Sequence, residues 1–363
     1  MSVIRNDRGP ADFVPLAVRH VTPLTADSVA IQIEVPGALG GEFEQQPGQH
    51  LVVRDVVGGV EERRNYSICS WNDPGTLTIG VKHLEGGAIS TRLHELEAGD
   101  VLEAMPPTGR FVLTLDPSNA KRYAGVAAGS GITPLLAMVK AVLETEPNST
   151  LDLVYGNSRA QSVMFLDELE DLRSAHMGRL TLMHVLYREP QGSDLLQGRI
   201  DAQKIRTIAE RLLPPASVDA WLLCGPRETV DVVKATLVEL GVDPAHTHSE
   251  LFFAGVAPAV SDAELAARAP SGGQLTMRLN SHVSHLVIPP DGTTVLAAAR
   301  LERSDVPYSC TSGVCGTCRA KVLSGSLEMR QNFALESDEV ERGYVRTCQS
   351  ILTSDEAEID YDA

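Results

Sequence analysis

Four of the six cysteines in this 363-residue chain, Cys310, Cys315, Cys318 and Cys348, fall in its last quarter. They are spaced C-x4-C-x2-C, with 29 residues between the third and the fourth, so one short loop and one distant segment must converge. This spacing is associated with ligation of a plant-type [2Fe–2S] cluster, in which four thiolates surround two irons. Gly313 and Gly316 stand between the ligands, where the lack of a Cβ lets backbone amides approach the sulfides and stabilise the reduced cluster. A structural zinc site is the alternative, but such sites usually draw on paired C-x2-C knuckles, and only one such pair exists here. The amino terminus lacks the apolar core of a secretory signal, which predicts a cytoplasmic setting. In a reducing compartment, clustered cysteines bind metal more often than they form disulfides.

A cluster carries one electron and needs a source for it. Residues 14–116 carry short β-branched runs, among them Val29–Val35, Leu51–Val53 and Leu77–Val81, separated by Gly, Pro and Asp turns. That texture predicts a small antiparallel β-barrel. After Asp116–Asn119, strand-like Tyr123–Ala128, Leu151–Tyr155, Leu180–Tyr187 and Ala220–Cys224 alternate with helix-like Pro134–Glu144, Met164–Ala175, Asp201–Leu213 and Glu228–Leu240. This is the βαβ rhythm of a doubly wound parallel sheet. A stretch rich in Ala, Gly, Pro and Ser then reads as a linker. Beyond it, strand-like Leu275–Leu279 and Val283–Ile288 and helix-like Val295–Glu302 lead into the cysteine loop. The expected division is a mobile terminus at 1–12, a barrel at 13–118, an α/β domain at 119–254, a linker at 255–273 and a cluster domain at 274–363.

Composition narrows the function classes. At 43% hydrophobic, the chain has enough apolar surface to offset chain entropy, which excludes wholesale disorder. A formal charge of −17 argues against general nucleic-acid affinity. The uncharged run Tyr123–Val139 is interrupted by Gly125, Gly129, Gly131 and Pro134, so it reads as strand, turn and helix start rather than a membrane span. Within it, Gly129-Ser-Gly-Ile-Thr-Pro134 places free backbone amides where a pyrophosphate can bind. Arg64-Asn-Tyr-Ser67 offers a guanidinium, an aromatic ring and a hydroxyl, a plausible flavin contact set. Gly86-Gly-Ala-Ile-Ser90 is a second candidate phosphate turn.

Together with Cys224-Gly-Pro226 and the cysteine loop, these motifs resemble the ferredoxin–NADP reductase superfamily fused to a plant-type ferredoxin domain. Tyr155-Gly-Asn157, Ser193–Asp201, His248–Phe252 and Gly343–Gln349 are further similar to the reductase subunits of bacterial phenylacetyl-CoA ring-1,2-epoxidases. The resemblance runs from about residue 14 to the end of the chain. It implies a β-grasp cluster domain and FAD as the flavin, with FMN as the alternative. Arg64 would bind the flavin diphosphate, Tyr66 would stack on the isoalloxazine, and Ser67 would lie near its reactive edge. Gly87 and Ser90 would also hold phosphate. Gly129, Gly131 and Thr133 would receive the nicotinamide nucleotide, and Cys224 would sit by the site of hydride transfer. Glu250 and Phe252 match a segment that closes over the flavin, with an ordinary strand end as the other reading. Cys310, Cys315, Cys318 and Cys348 would ligate the cluster.

The expected route is NADPH to FAD to [2Fe–2S] to an oxygenase component, here a multisubunit diiron epoxidase, with the linker letting the cluster visit flavin and partner. NADPH is favoured over NADH because Asn157, Ser158 and Arg159 follow the second α/β strand, where an NAD site commonly presents a carboxylate. Two other readings stay open: a reductase for a Rieske-type or other oxygenase acting on steroids or aromatics, and an iron–sulfur redox sensor. No Glu-x-x-His, His-Glu-x-x-His or Cys-x-His motif occurs, so oxygen activation at a metal site of the chain's own is not expected. The acidic run Asp355–Asp362 reads as solvated surface, or as a docking patch for a basic partner.

Overall fold

The computed structural model describes residues 13–252, 272–303, 305–333, 335 and 337–363. The expected mobile terminus at 1–12 and all but the last two residues of the expected linker lie outside them. One compact unit carries two sheets, and a second carries residues 272–363.

In the first unit the β-branched runs become β1 (Val14–Thr25), β2 (Ser28–Glu34), β3 (His50–Val57), β4 (Val60–Ser67) and β5 (Thr76–Lys82). Helix α1 (Ala88–His94) and β6 (Val101–Ala104) follow. The sheet order is β4-β3-β6-β1-β2-β5, and the pairs β1–β2, β2–β5 and β3–β6 are antiparallel. Alternation drives the sheet: β1 buries Val14, Leu16 and Val18 and exposes the residues between them. A bridge between Ile68 and Ile79 brings the chain just after β4 onto β5, so the two edges meet and the sheet closes.

The second sheet is wholly parallel, in the order β11-β10-β7-β8-β9. Its elements are β7 (Arg122–Ala128), α2 (Ile132–Thr145), β8 (Thr150–Asn157), α3 (Leu166–Ala175), β9 (Leu180–Leu186), α4 (Ala202–Arg211), β10 (Ala220–Gly225), α5 (Arg227–Glu239) and β11 (Thr247–Leu251). Strands buried on both faces explain the near-continuous apolar runs. Tyr123, Ala127, Leu153 and Tyr155 pack with α2 and α3, whereas Ala124, Val126 and Val154 pack with α4 and α5. Strand order reverses between β7 and β10, the kind of switch point at which such sheets bind ligands. The apolar pattern does not announce β11, because Thr-His-Ser-Glu-Leu is a half-buried edge strand without an apolar face.

The second unit contains β12 (Gly273–Leu279), β13 (His282–Ile288), α6 (Val295–Glu302), β14 (Arg319–Ser324), β15 (Leu327–Met329), α7 (Ser337–Glu341), β16 (Tyr344–Arg346), β17 (Ser350–Leu352) and β18 (Glu356–Asp360). The main sheet runs β13-β12-β18-β14-β16, with β12 and β18 parallel and the hairpin pair β12–β13 antiparallel. Helix α6 caps it through Val295, Leu296, Ala298 and Ala299, giving the β-grasp arrangement. The acidic run at the end of the chain is more than solvated surface: its acidic side chains are exposed or half-buried, but its backbone is structural. It forms the central strand β18, where Ala357 and Ile359 are buried and Glu358 pairs with Arg278. Asp362 then accepts the backbone amides of Asn280 and Ser281, each at 2.8 Å. Charge count hid a period-two strand whose inward residues are apolar. No helix among the described residues is long and apolar enough to cross a membrane.

Candidate functional site

At the carboxyl end of β7 the chain turns through Gly129-Ser130-Gly131 into α2. A Cβ on Gly131 would lie 2.2 Å from the Cys224 carbonyl oxygen, so only glycine lets this turn approach the end of β10. Thr133 Oγ1 donates to the Ser130 carbonyl at 3.0 Å and braces the turn. Parallel register sets Glu250 on β11 beside Cys224 on β10. Ser67, closing β4, donates to Glu250 Oε2 at 3.4 Å, and the other carboxylate oxygen lies 3.5 Å from His50 Nδ1 at the start of β3. His50, Ser67 and Cys224 are all buried.

The fold thus brings Ser67, Cys224, Glu250 and the Gly131 turn together, and adds His50. That histidine follows Pro-Gly-Gln in a strand, and no spacing signal marks it; only barrel closure brings it to the site. Burial pushes the Cys224 thiol well above its ordinary pKa, and the Glu250 carboxylate pushes it further, so the thiol stays neutral. The Phe252 amide donates to the Gly225 carbonyl at 3.1 Å, and its ring packs at the apolar core beside α2.

The other expected phosphate and flavin contacts are more dispersed. Arg64 is exposed, with Nη1 donating to its neighbour's carbonyl at 2.7 Å, and Tyr66 is half-buried. Gly87 precedes the first turn of α1. The Ser90 hydroxyl accepts from the Leu84 amide and donates to the Gly87 carbonyl, both at 3.1 Å, so it closes the turn.

Past β8, the Ser158 and Ser162 hydroxyls lie 2.8 Å apart, and exposed Arg159 begins a short turn. The loop after β9 runs alongside, with the Arg188 amide donating to the Ser158 carbonyl at 2.9 Å. Arg188 and Arg199 both lie over the Tyr187 ring, at 5.4 and 4.9 Å from its centroid. Sequence reasoning singled out Arg159 but not its neighbours Arg188 and Arg199, because their proximity depends on β8 and β9 being adjacent. One carboxylate shares the region: Glu189 accepts the Ala160 amide at 2.9 Å.

In the second unit the four clustered cysteines associate in two pairs. The Cys315 thiol hydrogen-bonds to Cys310 and holds it well below the ordinary thiol range, at about 5, aided by backbone amides that include Cys315 N at 3.4 Å. The Cys348 thiol in the same way holds Cys318 below its ordinary value. Thr347 fixes the second pair: its amide and hydroxyl both donate to the Cys318 carbonyl, at 3.1 and 3.0 Å. Gln349 ties the first pair in by donating to the Thr311 carbonyl at 2.7 Å. Gly313, at φ +77°, supplies the left-handed turn the loop needs.

Among the described residues, no three His, Cys, Asp or Glu side chains are grouped to hold a single ion. A zinc knuckle needs four ligands around one point, whereas a [2Fe–2S] centre needs two thiolates at each of two irons. Two thiol pairs, each with one cysteine held below the ordinary thiol range by its partner, fit the latter.

The same division appears in comparisons with known proteins. Residues 15–113 match the oxidoreductase FAD-binding domain, 126–235 the oxidoreductase NAD-binding domain, and 279–353 the 2Fe-2S iron–sulfur cluster binding domain. The chain is 37% identical to a component protein of the 1,2-phenylacetyl-CoA epoxidase of Escherichia coli (strain K12), over 97% of this chain and 98% of that protein. It is 32% identical to the ferredoxin reductase component of 3-ketosteroid-9-alpha-monooxygenase from Rhodococcus rhodochrous, over 96% and 97% of the two chains. Phthalate dioxygenase reductase shares the fold at TM-score 0.57 and 23% identity, over 97% of this chain and all of that one. The chain therefore belongs to the family of oxidoreductases that join an FAD-binding, an NAD-binding and a [2Fe–2S]-binding domain in that order, the family of these oxygenase reductase components.

Proposed function

We propose that this protein is the NADPH-dependent reductase of a multisubunit diiron epoxidase that acts on the ring of phenylacetyl-CoA. The observation that carries this reading is the end-to-end match, at 37% identity, to a component of a 1,2-phenylacetyl-CoA epoxidase. The proposed working parts are a flavin domain at 13–118, a nucleotide domain at 119–254 and a cluster domain at 274–363.

When bound, FAD accepts two electrons as a hydride and releases them singly, and a [2Fe–2S] cluster carries one at a time. Arg64 would hold the flavin diphosphate and Tyr66 would stack on its ring system. Gly87 and the first-turn amides of α1 would add phosphate contacts. Gly131 keeps the nucleotide turn and the Cys224 backbone close enough to share one ligand. The neutral Cys224 thiol offers a small, uncharged wall at the reacting face. Ser67 and Glu250, already 3.4 Å apart, form a hydroxyl–carboxylate pair able to hold or pass a proton, with His50 behind the carboxylate. Arg159, Arg188 and Arg199 favour a 2′-phosphate, which supports NADPH over NADH.

The test is reconstitution. Purified protein with NADPH is expected to reduce cytochrome c and to support substrate turnover with a phenylacetyl-CoA ring-epoxidase oxygenase component. Turnover only with a steroid or Rieske-type oxygenase would move it to the other branch of the family. Negligible cytochrome c reduction by flavin- and iron-loaded protein would point to a sensor instead.

A further inference from the structure

Arg346 ends β16, two residues before Cys348, and none of its surface reaches solvent. Its Nε, Nη1 and Nη2 atoms all lack a hydrogen-bond partner among the described residues. A guanidinium does not shed its proton, and an uncompensated buried charge is among the most unfavourable groups a fold can hold. Two other buried charges among the described residues are satisfied. Lys204 Nζ donates to the carbonyls of Asp194 and Gln197, and the Glu146 carboxylate accepts from Asn119, Ser149, Tyr123 and the Asp116 amide. The carboxylate of Glu339, buried among the described residues of this unit, already faces Arg319 at 3.2 Å.

The strand register shows where the missing anion belongs. Arg346 pairs across the ladder with Arg319, the residue after Cys318, and the next amide, Thr347 N, donates to the Cys318 carbonyl at 3.1 Å. Arg346 is therefore built into the short segments that carry two of the four cluster cysteines. Four thiolates and two sulfides outweigh the charge of two irons, so a bound cluster is an anion, and reduction adds a further negative charge.

We propose that Arg346 is the internal counter-charge of the bound [2Fe–2S] cluster, and that it raises the cluster's reduction potential above the value a neutral residue would give. This rests on the cluster-binding reading above. Net charge and burial are among the levers that set cluster potentials, and a fixed buried cation acts on both.

The test is an EPR-monitored redox titration of the full-length, flavin- and iron-loaded protein and of the variants Arg346→Met and Arg346→Lys, with iron and sulfide content measured on each. Arg346→Met is expected to lower the ratio of reduced to oxidised cluster at a fixed potential at least about tenfold, a shift of ~59 mV for a one-electron couple. Arg346→Lys should stay near wild type. The difference should persist in high salt, since a buried charge is poorly screened. Loss of cluster in Arg346→Met with retention in Arg346→Lys would also support the inference. Unchanged potential in Arg346→Met, or equal cluster loss in both variants, would overturn it and leave a packing role. Wild-type protein that takes up zinc but no iron or sulfide would overturn the cluster reading itself, a result separable from an unchanged potential.

Discussion

The two redox regions of this chain are built by opposite means. The edge between the barrel and the parallel sheet is assembled from strand ends of two sheets, and its polar groups meet one another: Ser67 donates to Glu250, Glu250 lies 3.5 Å from His50, and Thr133 donates to Ser130. The cysteine loop runs from Cys310 to Cys318 without helix or strand, and beside it stands a buried guanidinium with no hydrogen-bond partner among the described residues. The first region draws its contacts from its own side chains. The second is completed by what it binds. Metal binding should therefore be folding free energy for the second unit, whereas flavin should add only ordinary linkage stabilisation to the first.

The largest effect should come from the cysteine side. Cys348→Ser removes one thiolate from the Cys318 pair and is expected to drop NADPH-driven cytochrome c reduction to background while ferricyanide reduction at the flavin persists. Hydrogen exchange should show protection lost across residues 310–352 and kept across the α/β sheet. Equal loss of protection in both regions would break the contrast between them.

On the other side, Gly131→Ala forces a Cβ to within 2.2 Å of a backbone oxygen that cannot yield as a side chain would. The turn must shift, and a displacement of about 1 Å at a reacting centre costs roughly 10²-fold in rate. Stopped-flow flavin reduction should report that loss, with an unchanged cluster EPR signal.

The same contrast explains what the sequence revealed. The cysteine spacing, the Gly129–Pro134 turn and the alternating βαβ texture are local signals, so the grouping of four cysteines, the glycine turn after β7 and three architectures were legible. His50 and β11 were not, because a lone histidine and a strand without an apolar face acquire meaning only when the barrel closes and β11 adds to the β10 edge. Arg188 and Arg199 stayed hidden for a related reason: they are surface residues whose neighbours come from another strand. The acidic end of the chain was legible only in part, because charge dominates its composition while its fold is set by the buried Ala357 and Ile359.

A third prediction tests whether the first unit is held by its own internal partners. Burial alone would raise the Glu146 carboxyl, but hydrogen bonds from Asn119, the Asp116 amide, Ser149 and Tyr123 hold it below the ordinary carboxylate value. A folded pKa below the unfolded one, ~4.3, means stabilisation that is full above that range and is lost as pH falls through it towards the folded value. Glu146→Gln is expected to cost about 1–3 kcal/mol near neutral pH, by leaving donors unpaired, and to flatten the acid limb of the stability curve. Urea denaturation at several pH values, followed by the near-ultraviolet signal of Trp221 in β10, would check both parts. An acid limb as steep as wild type would show that other carboxylates govern it.

The smallest effect concerns nucleotide choice, and it refines what kind of completeness the first region has. Arg188 is exposed, its backbone is pinned to Ser158, and its side chain lies over Tyr187 beside Arg199. An exposed guanidinium adds little to stability, so Arg188→Ala should leave the melting temperature unchanged. A charge-assisted contact to a 2′-phosphate is a different matter, and its loss should raise KM for NADPH about tenfold, or ~1.4 kcal/mol, with KM for NADH unmoved. Glu189, whose carboxylate caps the Ala160 amide, supplies the control: Glu189→Gln should lower KM for NADPH slightly, because a like charge leaves the phosphate's surroundings. Equal rises in KM for both nucleotides in Arg188→Ala would mean that the arginine orders the loop rather than reads the phosphate. In that case the selectivity of this edge, unlike its fold, would have to come from the bound nucleotide reshaping it, much as the cluster completes its own loop.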